Sequence, residues 1–598
     1  MTGKQKRGRA LERQIERIGA RLNAWEQINR RLSTARLIAG LSGIAAGILA
    51  LTLPDAPIWW VVTLAAALIF APLVILHTRL KRGIADFAGW RQIKRTHLAR
   101  MTLDWAALPR PLPGSRLAEH PFEQDLDITG EFSLHRLLNT AVTRAGGERL
   151  RAWLLATAPD PVVIARRQTL VRELRSLPIF RDKLILRGGA QGQSAGIGWL
   201  NSATRVQRRT VLILTVLALV NLVLLAGDAA GLIAPIWRLT IPAVFIAGLI
   251  AGRGSGDVFQ QALEARALLE SVGGVFHLLE TTRPGDRPAL AALIAPFHDA
   301  RERPSTELAR VGRVLFMAAL RSNLFLWLPL NLFLPFDLLV AVSLESARVR
   351  LREHLPAWLD VWHELEALAG LATYAYLNPD AVFPVIDADA VFTGQALGHP
   401  LIKDEGKVRN DFALDRLGQV VIITGSNMAG KSSFLRTLGL ALVLTYAGGV
   451  VDAAALTVAP FRLFTCIRVS DSVTEGFSYF YAEVKRLKAL LTALHVEGDY
   501  PLFSLIDEIF KGTNNRERLI GSRAYIKALA GQRGVSVIST HDLELVTLAD
   551  ETPGVSNAHF REEVIDGGLV FDYRLRPGPC PTTNALKIMQ MAGLPVGE

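Results

Sequence analysis

Cysteine is nearly absent from this 598-residue chain: Cys466 and Cys580 stand far apart, with no C-x-x-C pair and no Cys/His cluster. That excludes a disulfide framework and a thiolate zinc site. No repeat of fixed period runs through the chain, which sets aside solenoids and propellers. Residues 111–598 lack net charge, holding 49 Lys/Arg against 49 Asp/Glu, so any basic track for nucleic acid there must be a local patch. The whole excess of +12 sits in residues 1–110, with 18 Lys/Arg against 6 Asp/Glu. The first apolar run lies behind a long basic segment and lacks a cleavage-site pattern, so it reads as a retained anchor.

What the chain has in abundance is apolar sequence, 50% of its residues. Residues 37–53 contain no charge, and residues 58–76 contain none either, with Trp59 and Trp60 at one edge and a P-D-A-P turn between the runs. About 20 apolar residues span a bilayer, so the pair predicts a transmembrane hairpin. A second hairpin is predicted from residues 210–226 and 231–252, the latter carrying Arg238 beside Trp237, where the guanidinium would snorkel to the interface. A third apolar stretch, Leu324–Val342, has Arg310, Arg313 and Arg321 before it and Arg348, Arg350 and Arg352 after it. Basic flanks on both sides contradict a simple span, and the stretch reads as a packed or re-entrant helix. The basic flanks of the first hairpin put the N-terminus in the cytoplasm, and residues 1–36 read as a basic amphipathic helix lying against anionic lipid. The expected location is the plasma (inner) membrane of a prokaryotic cell, multi-pass.

The stretch "VIITGSNMAGKSSFLRTLG", Val421 to Gly439, reads as strand, turn and helix. Its turn has the spacing G-x-x-x-x-G-K-S, in which the backbone N–H groups of Gly425, Ser426, Asn427, Met428, Ala429 and Gly430 wrap phosphates. Lys431 would reach the β/γ-phosphates and the Ser432 hydroxyl would ligate Mg²⁺, with Ser433 in the first helical turn, where the helix dipole favours anions. "LFSLIDEIFKGTNN" is a buried strand ending in Asp507-Glu508. There Asp507 suits Mg²⁺ and Glu508 suits a base for the attacking water. "GVSVISTHDLEL" is another such strand, ending at His541, within reach of the γ-phosphate. Three strand ends bearing polar groups converge where open α/β sheets bind ligands.

These motifs resemble the MutS mismatch-repair ATPases, relatives of the ABC-type ATPases. The family's loop reads TGPNMGGKS against "TGSNMAGKS" here, and its second motif DEIGRGTS against "DEIFKGTN", so Ser426, Ala429 and Phe510 depart from it. The 76 residues from Lys431 to Asp507 are also similar to that family and short for a transporter. "SDSVTEGFSYFYAEVKRL" is similar to the family's signature stretch, which carries Ser478 and Glu483 over, with Tyr479 in place of Thr. In the family that serine caps the γ-phosphate of nucleotide held by the other subunit, so the resemblance implies a homodimer. "GVSNAHF" through "TTNALKIMQMAGLP" resembles the family's C-terminal segment, and residues 132–174 and 364–379 are more loosely similar to its core and lever. The family's N-terminal mismatch reader with its F-x-E element is missing, and a membrane hairpin stands where the lever would climb to a DNA clamp.

The expected architecture is therefore an α/β P-loop ATPase of ABC/MutS type over 386–598. An all-α core and lever region with the second hairpin covers 111–385, and the basic helix with the first hairpin covers 1–110. The resemblance implies ATP and Mg²⁺ as ligands. Duplex DNA is an expected partner, bound weakly and without clear mismatch preference. Two alternatives share the ATP chemistry: an ABC-type transporter, against which stand the short spacing and the lack of LSGGQ, and a membrane tether switched by ATP with little turnover.

Overall fold

The computed structural model describes residues 2–53, 56–110, 120–189, 207–252, 256–299, 303–426, 428–468, 479–496, 498–510, 514–565 and 568–580. They gather into two compact units: residues 1–139, 150–178 and 370–598 form one, residues 140–149 and 179–369 the other.

The first unit begins with two long antiparallel helices, Gly3–Thr52 and Ile58–Thr102. No proline interrupts the first, and it runs unbroken for 50 residues, about 75 Å at 1.5 Å per residue. The basic segment is thus continuous with the apolar run instead of lying as a separate helix on a lipid surface. Along the seam Gly40, Gly43 and Gly47 face Phe70, Ala66 and Thr63, a spacing of small residues that lets helices approach closely where lipid supplies no hydrophobic drive. Nearer the N-terminus the Trp25 and Phe87 rings meet edge to face at 5.0 Å. Leu37, Ile44, Ile48, Leu64, Leu68 and Ile69 all point outward with more than half their surface exposed. Both helices, and Arg208–Ala229 of the second unit, are long and apolar enough to cross a membrane.

Ten strands lie among the described residues of this unit: β1 Val385–Ile386, β2 Phe392–Leu397, β3 Asn410–Leu414, β4 Val420–Thr424, β5 Ala455–Val458, β6 Arg462–Cys466, β7 Leu502–Asp507, β8 Gly534–Thr540, β9 Val555–Ile565 and β10 Gly568–Pro577. A small sheet has the order β1-β5-β2-β3, and the main sheet β10-β9-β4-β8-β7-β6. In the main sheet β9, β4, β8, β7 and β6 are parallel and β10 pairs antiparallel with β9. Runs such as Val420–Thr424 and Gly534–Thr540 are buried at every position, as strands covered on both faces must be. Thr424 aligns with Thr540, and Asp507 with Ser539, so the carboxyl ends of β4, β8 and β7 form one rim. The helix Lys431–Ala447 leaves that rim and packs into the core along nearly its whole length.

The second unit is helical among its described residues. Its hairpin pairs Arg208–Ala229 with Trp237–Ala251. The returning helix is shorter than residues 231–252 promise: Gly231 takes a left-handed φ of 71° and Pro235 cannot donate to a helical ladder, so the helix begins only at Trp237. Its 15 residues span about 22 Å, less than the roughly 30 Å hydrocarbon core. Arg238 lies 5.7 Å from the Trp237 ring, whose Nε1 donates to Asp228 at 2.9 Å. Leu324–Val342 is broken at Leu334-Pro335 between the helices Leu324–Phe333 and Phe336–Leu377. The preceding pair, Pro304–Ser322 and Leu324–Phe333, bends by 107°, the shape of a broken span or a re-entrant loop.

Within this unit the Glu366 carboxylate accepts from the backbone N–H groups of Val142 and Thr143 at 3.1 and 3.3 Å and from the Thr143 hydroxyl. Burial pushes its pKa up to about 7 against those hydrogen bonds, from an ordinary 4.5. The proton is held more tightly in the folded state, so this contribution to stability is full below 4.5 and is lost as pH rises through about 7. Glu366→Gln should therefore gain stability relative to the parent by about 1.4 kcal/mol per pH unit across that window. The check is the difference in Tm between the two proteins in detergent at pH 5 and pH 8. An unchanged difference would refute the protonated carboxyl.

Candidate functional site

β4 delivers the buried Thr424 to a turn that only glycine can open and close. Gly425 has φ 145°, and a Cβ there would lie 2.8 Å from the Phe560 carbonyl oxygen. Gly430 has φ 97° and caps the helix Lys431–Ala447. Between them Met428 is exposed and Ala429 buried, while Asn427 lies outside the described residues. The Lys431 ammonium, on a side chain only 3% exposed, folds back over the turn and donates to the carbonyls of Gly425 and Ser426 at 2.6 and 2.8 Å. The Ser432 hydroxyl donates to Asp507 Oδ2 at 2.6 Å, so the helix start and the end of β7 meet directly. Asp507 is held from its other side by the Ser539 hydroxyl of β8, a contact between sheet neighbours that the separate motifs did not disclose.

Glu508 follows Asp507 in a left-handed conformation, φ 56°, and its N–H bonds the Ser539 carbonyl at 2.9 Å. A non-glycine residue held there carries a strain of about 1–3 kcal/mol, a cost found where a side chain must be aimed. Its Oε1 lies 3.2 Å from His541 Nδ1. The next residue, Asp542, is fixed by the Arg518 guanidinium through two bonds of 2.9 and 2.8 Å. Glu508 and His541 are thus adjacent at the same rim as Lys431, Ser432 and Asp507. Glu483 is buried on the helix Tyr479–His495, whereas Ser478 lies outside the described residues.

A cavity of about 510 Å³ opens beside the turn, lined by Gly430, Lys431, Ser432, Ser433 and Thr437. Its other wall was not legible from any motif: Lys407, Val408 and Asn410 from the edge of the small sheet, with His399, Phe560 and Tyr573. Tyr573 reaches it because β10 slips register between Phe571 and Leu575, a bulge that re-aims the side chain. Asn410 pins that bulge, donating to the Tyr573 carbonyl at 3.0 Å and accepting from Leu575 N–H at 2.8 Å. Burial, with the cations Arg436 and Lys407 nearby, pushes the His399 imidazole down to about 3, so it is a neutral group in the cavity wall. The volume lies within the usual range of small-molecule pockets.

Three oxygens, Ser432 Oγ and the two of Asp507, form a hard donor set next to the lysine, of the kind Mg²⁺ takes when phosphate and water complete its octahedron. Among the described residues no three His, Cys, Asp or Glu side chains gather into a group that could hold a metal ion.

The family model of MutS domain V matches residues 421–597. Over 236 residues the chain is 33% identical to a DNA mismatch repair protein MutS of Natronomonas pharaonis, a match covering 39% of this chain and 27% of that protein. Over 266 residues it is 30% identical to DNA mismatch repair protein MutS 2 of Halobacterium salinarum, covering 44% of this chain and 30% of that one. The chain therefore spans less than a third of the length of these curated relatives.

Proposed function

We propose that the C-terminal α/β domain, which matches MutS domain V over residues 421–597, is an Mg²⁺-dependent ATPase, carried on a membrane-anchored homodimer. The observation that carries the reading is the direct meeting of Ser432 with Asp507 beside the infolded Lys431, at the carboxyl ends of parallel strands. Backbone N–H groups of residues 425–430 and the start of the following helix bind the phosphate chain, and Lys431 offsets its charge. Ser432 and Asp507 would hold Mg²⁺, which supplies further charge neutralisation at the β/γ-phosphates. Glu508 orients the attacking water and takes its proton, and His541 holds the Glu508 carboxylate in line. Ser478 completes the site of the partner subunit, so turnover requires the dimer.

The hairpin over residues 37–76 and the second hairpin, whose returning helix 237–251 is short for a full span, anchor the protein in the membrane, with the ATPase domain on the basic, cytoplasmic side. Duplex DNA is bound weakly and without clear mismatch preference, residues 111–598 being electrically balanced so that no broad excess of basic charge offsets the phosphates. The test is the full chain purified from membranes in detergent. Its ATPase rate is measured alone and with matched or mismatched duplexes in competition at about 0.15 M salt. We expect Mg²⁺-dependent hydrolysis and equal, salt-sensitive competition by both duplexes. Recovery of the protein in the soluble fraction would remove the anchoring, a clear mismatch preference would reveal a reader, and no binding to either duplex would remove DNA as a partner.

A further inference from the structure

The helix that opens the chain begins on the ATPase domain, close to the cavity beside the turn where the proposed function places the phosphate chain, a cavity that would take the rest of the nucleotide. Its second residue in the helix, Lys4, donates its backbone N–H to Asp380 at 3.1 Å, and its ammonium pairs with Asp404 at 2.8 Å. One turn later the Arg7 guanidinium lies 3.9 Å over the Tyr376 ring. Asp404 uses its other oxygen to hold Lys407, at 3.1 Å. Lys407 also pairs with Asp452 at 2.7 Å, and Asp452 in turn takes Arg409 at 2.9 Å. The Lys407 side chain is 4% exposed and lines the cavity. A chain of alternating charges, Lys4–Asp404–Lys407–Asp452, therefore runs from the N-terminal end of the first long helix into the cavity wall. Partial burial pushes the Asp404 carboxyl up, and hydrogen bonds and charge from Lys4 and Lys407 outweigh it, holding the group below the usual carboxylate range.

The one pair of this series that joins the helix, Lys4–Asp404, is partly exposed and worth roughly 0–1 kcal/mol, so the four charges in series are not explained by holding the helix on. They are well suited to orienting one buried ammonium. We infer that Lys4 and Asp404 are positioning residues for Lys407, so that docking of the helix's N-terminal end and binding of nucleotide in the cavity favour each other. This rests on the nucleotide reading of the cavity. Coupling between two binding events is reciprocal, and the partner here is the chain's own membrane hairpin. A pull on the hairpin would then be felt as a change in nucleotide affinity.

The experiment compares the parent with Lys4→Glu and Lys4→Arg, full chains in detergent, by titration with a fluorescent ATP analogue and by steady-state kinetics. Lys4→Glu should weaken affinity and raise KM by about fivefold or more, within the usual range of coupling between sites, with kcat unchanged, and Lys4→Arg should restore the parental values. Hydrogen exchange of the backbone amides of residues 3–8 should slow when ATP is added to the parent and not to Lys4→Glu. Unaltered affinity in Lys4→Glu, or amides indifferent to ATP in the parent, would overturn the coupling. Failure of the parent to bind the analogue at all would instead overturn the nucleotide reading of the cavity. The backbone contact to Asp380 and the Arg7 contact to Tyr376 do not use the Lys4 ammonium, so neither substitution removes a group that makes them.

Discussion

Glu508→Gln should bind ATP as the parent does and turn it over at least ~10-fold more slowly, with general-base catalysis typically worth ~10²–10⁴-fold. The amide has nearly the shape of the carboxylate, so the left-handed turn at Glu508 and its backbone bond to Ser539 are kept. What is lost is the ability to accept a proton from water. Ser432 and Asp507 are untouched, and so is Lys431, so affinity for the nucleotide should stay within about twofold on the view that uniform binding and chemistry separate in mutant kinetics. Lys431→Ala is the contrasting variant. It removes the one ammonium that bonds the Gly425 and Ser426 carbonyls, and both affinity and turnover should collapse together. Measured side by side, an affinity loss in one and a kcat loss in the other separate the two roles. A Glu508→Gln enzyme hydrolysing ATP at the parental rate would remove Glu508 as the base.

The groups at this rim are legible in the sequence wherever the chemistry is local. Gly425 to Ser432 are contiguous, so their spacing carries the turn, and Asp507-Glu508 stand at the end of an apolar run that is a strand, Leu502–Asp507. The flanking runs give the alternation of buried strands and helices from which a mixed α/β domain follows. What could not be read is whatever depends on partners far away in the chain. Tyr573 reaches the cavity through a one-strand slip pinned by Asn410, 163 residues earlier, and nothing in the composition of β10 announces a bulge. Ser539 looks like any buried strand serine until its register with Asp507 is known. Lys4 is one of ten basic residues before position 37, and only the fold distinguishes the one that meets Asp404, 400 residues on. Apolar composition likewise marked residues 231–252 as one run, but Gly231 and Pro235 act on the backbone and cut the helix down to Trp237–Ala251.

Mixing two inactive proteins should create activity. If each nucleotide is held by Lys431 of one subunit and Ser478 of the other, then Lys431→Ala and Ser478→Arg homodimers each have two dead sites, one lacking the ammonium and the other blocked where the hydroxyl belongs. In a mixed dimer the two defects fall on the same site. The other site takes its turn and Lys431 from the Ser478→Arg subunit and its serine from the Lys431→Ala subunit, and is complete. A two-fold dimer formed at random from equal amounts is half mixed, and half the sites in a mixed dimer work, so about a quarter of the parental rate should appear on exchange of subunits. A site built within one chain gives a different answer, since each subunit then carries its own lesion and no combination repairs it. The measurement is ATPase rate after co-refolding or co-expression with two different affinity tags, so that mixed dimers are isolated and counted. Mixed dimers recovered in the expected proportion, with a rate no higher than that of either inactive homodimer, would show that ATP is not shared between subunits and would leave Ser478 without a part in the chemistry.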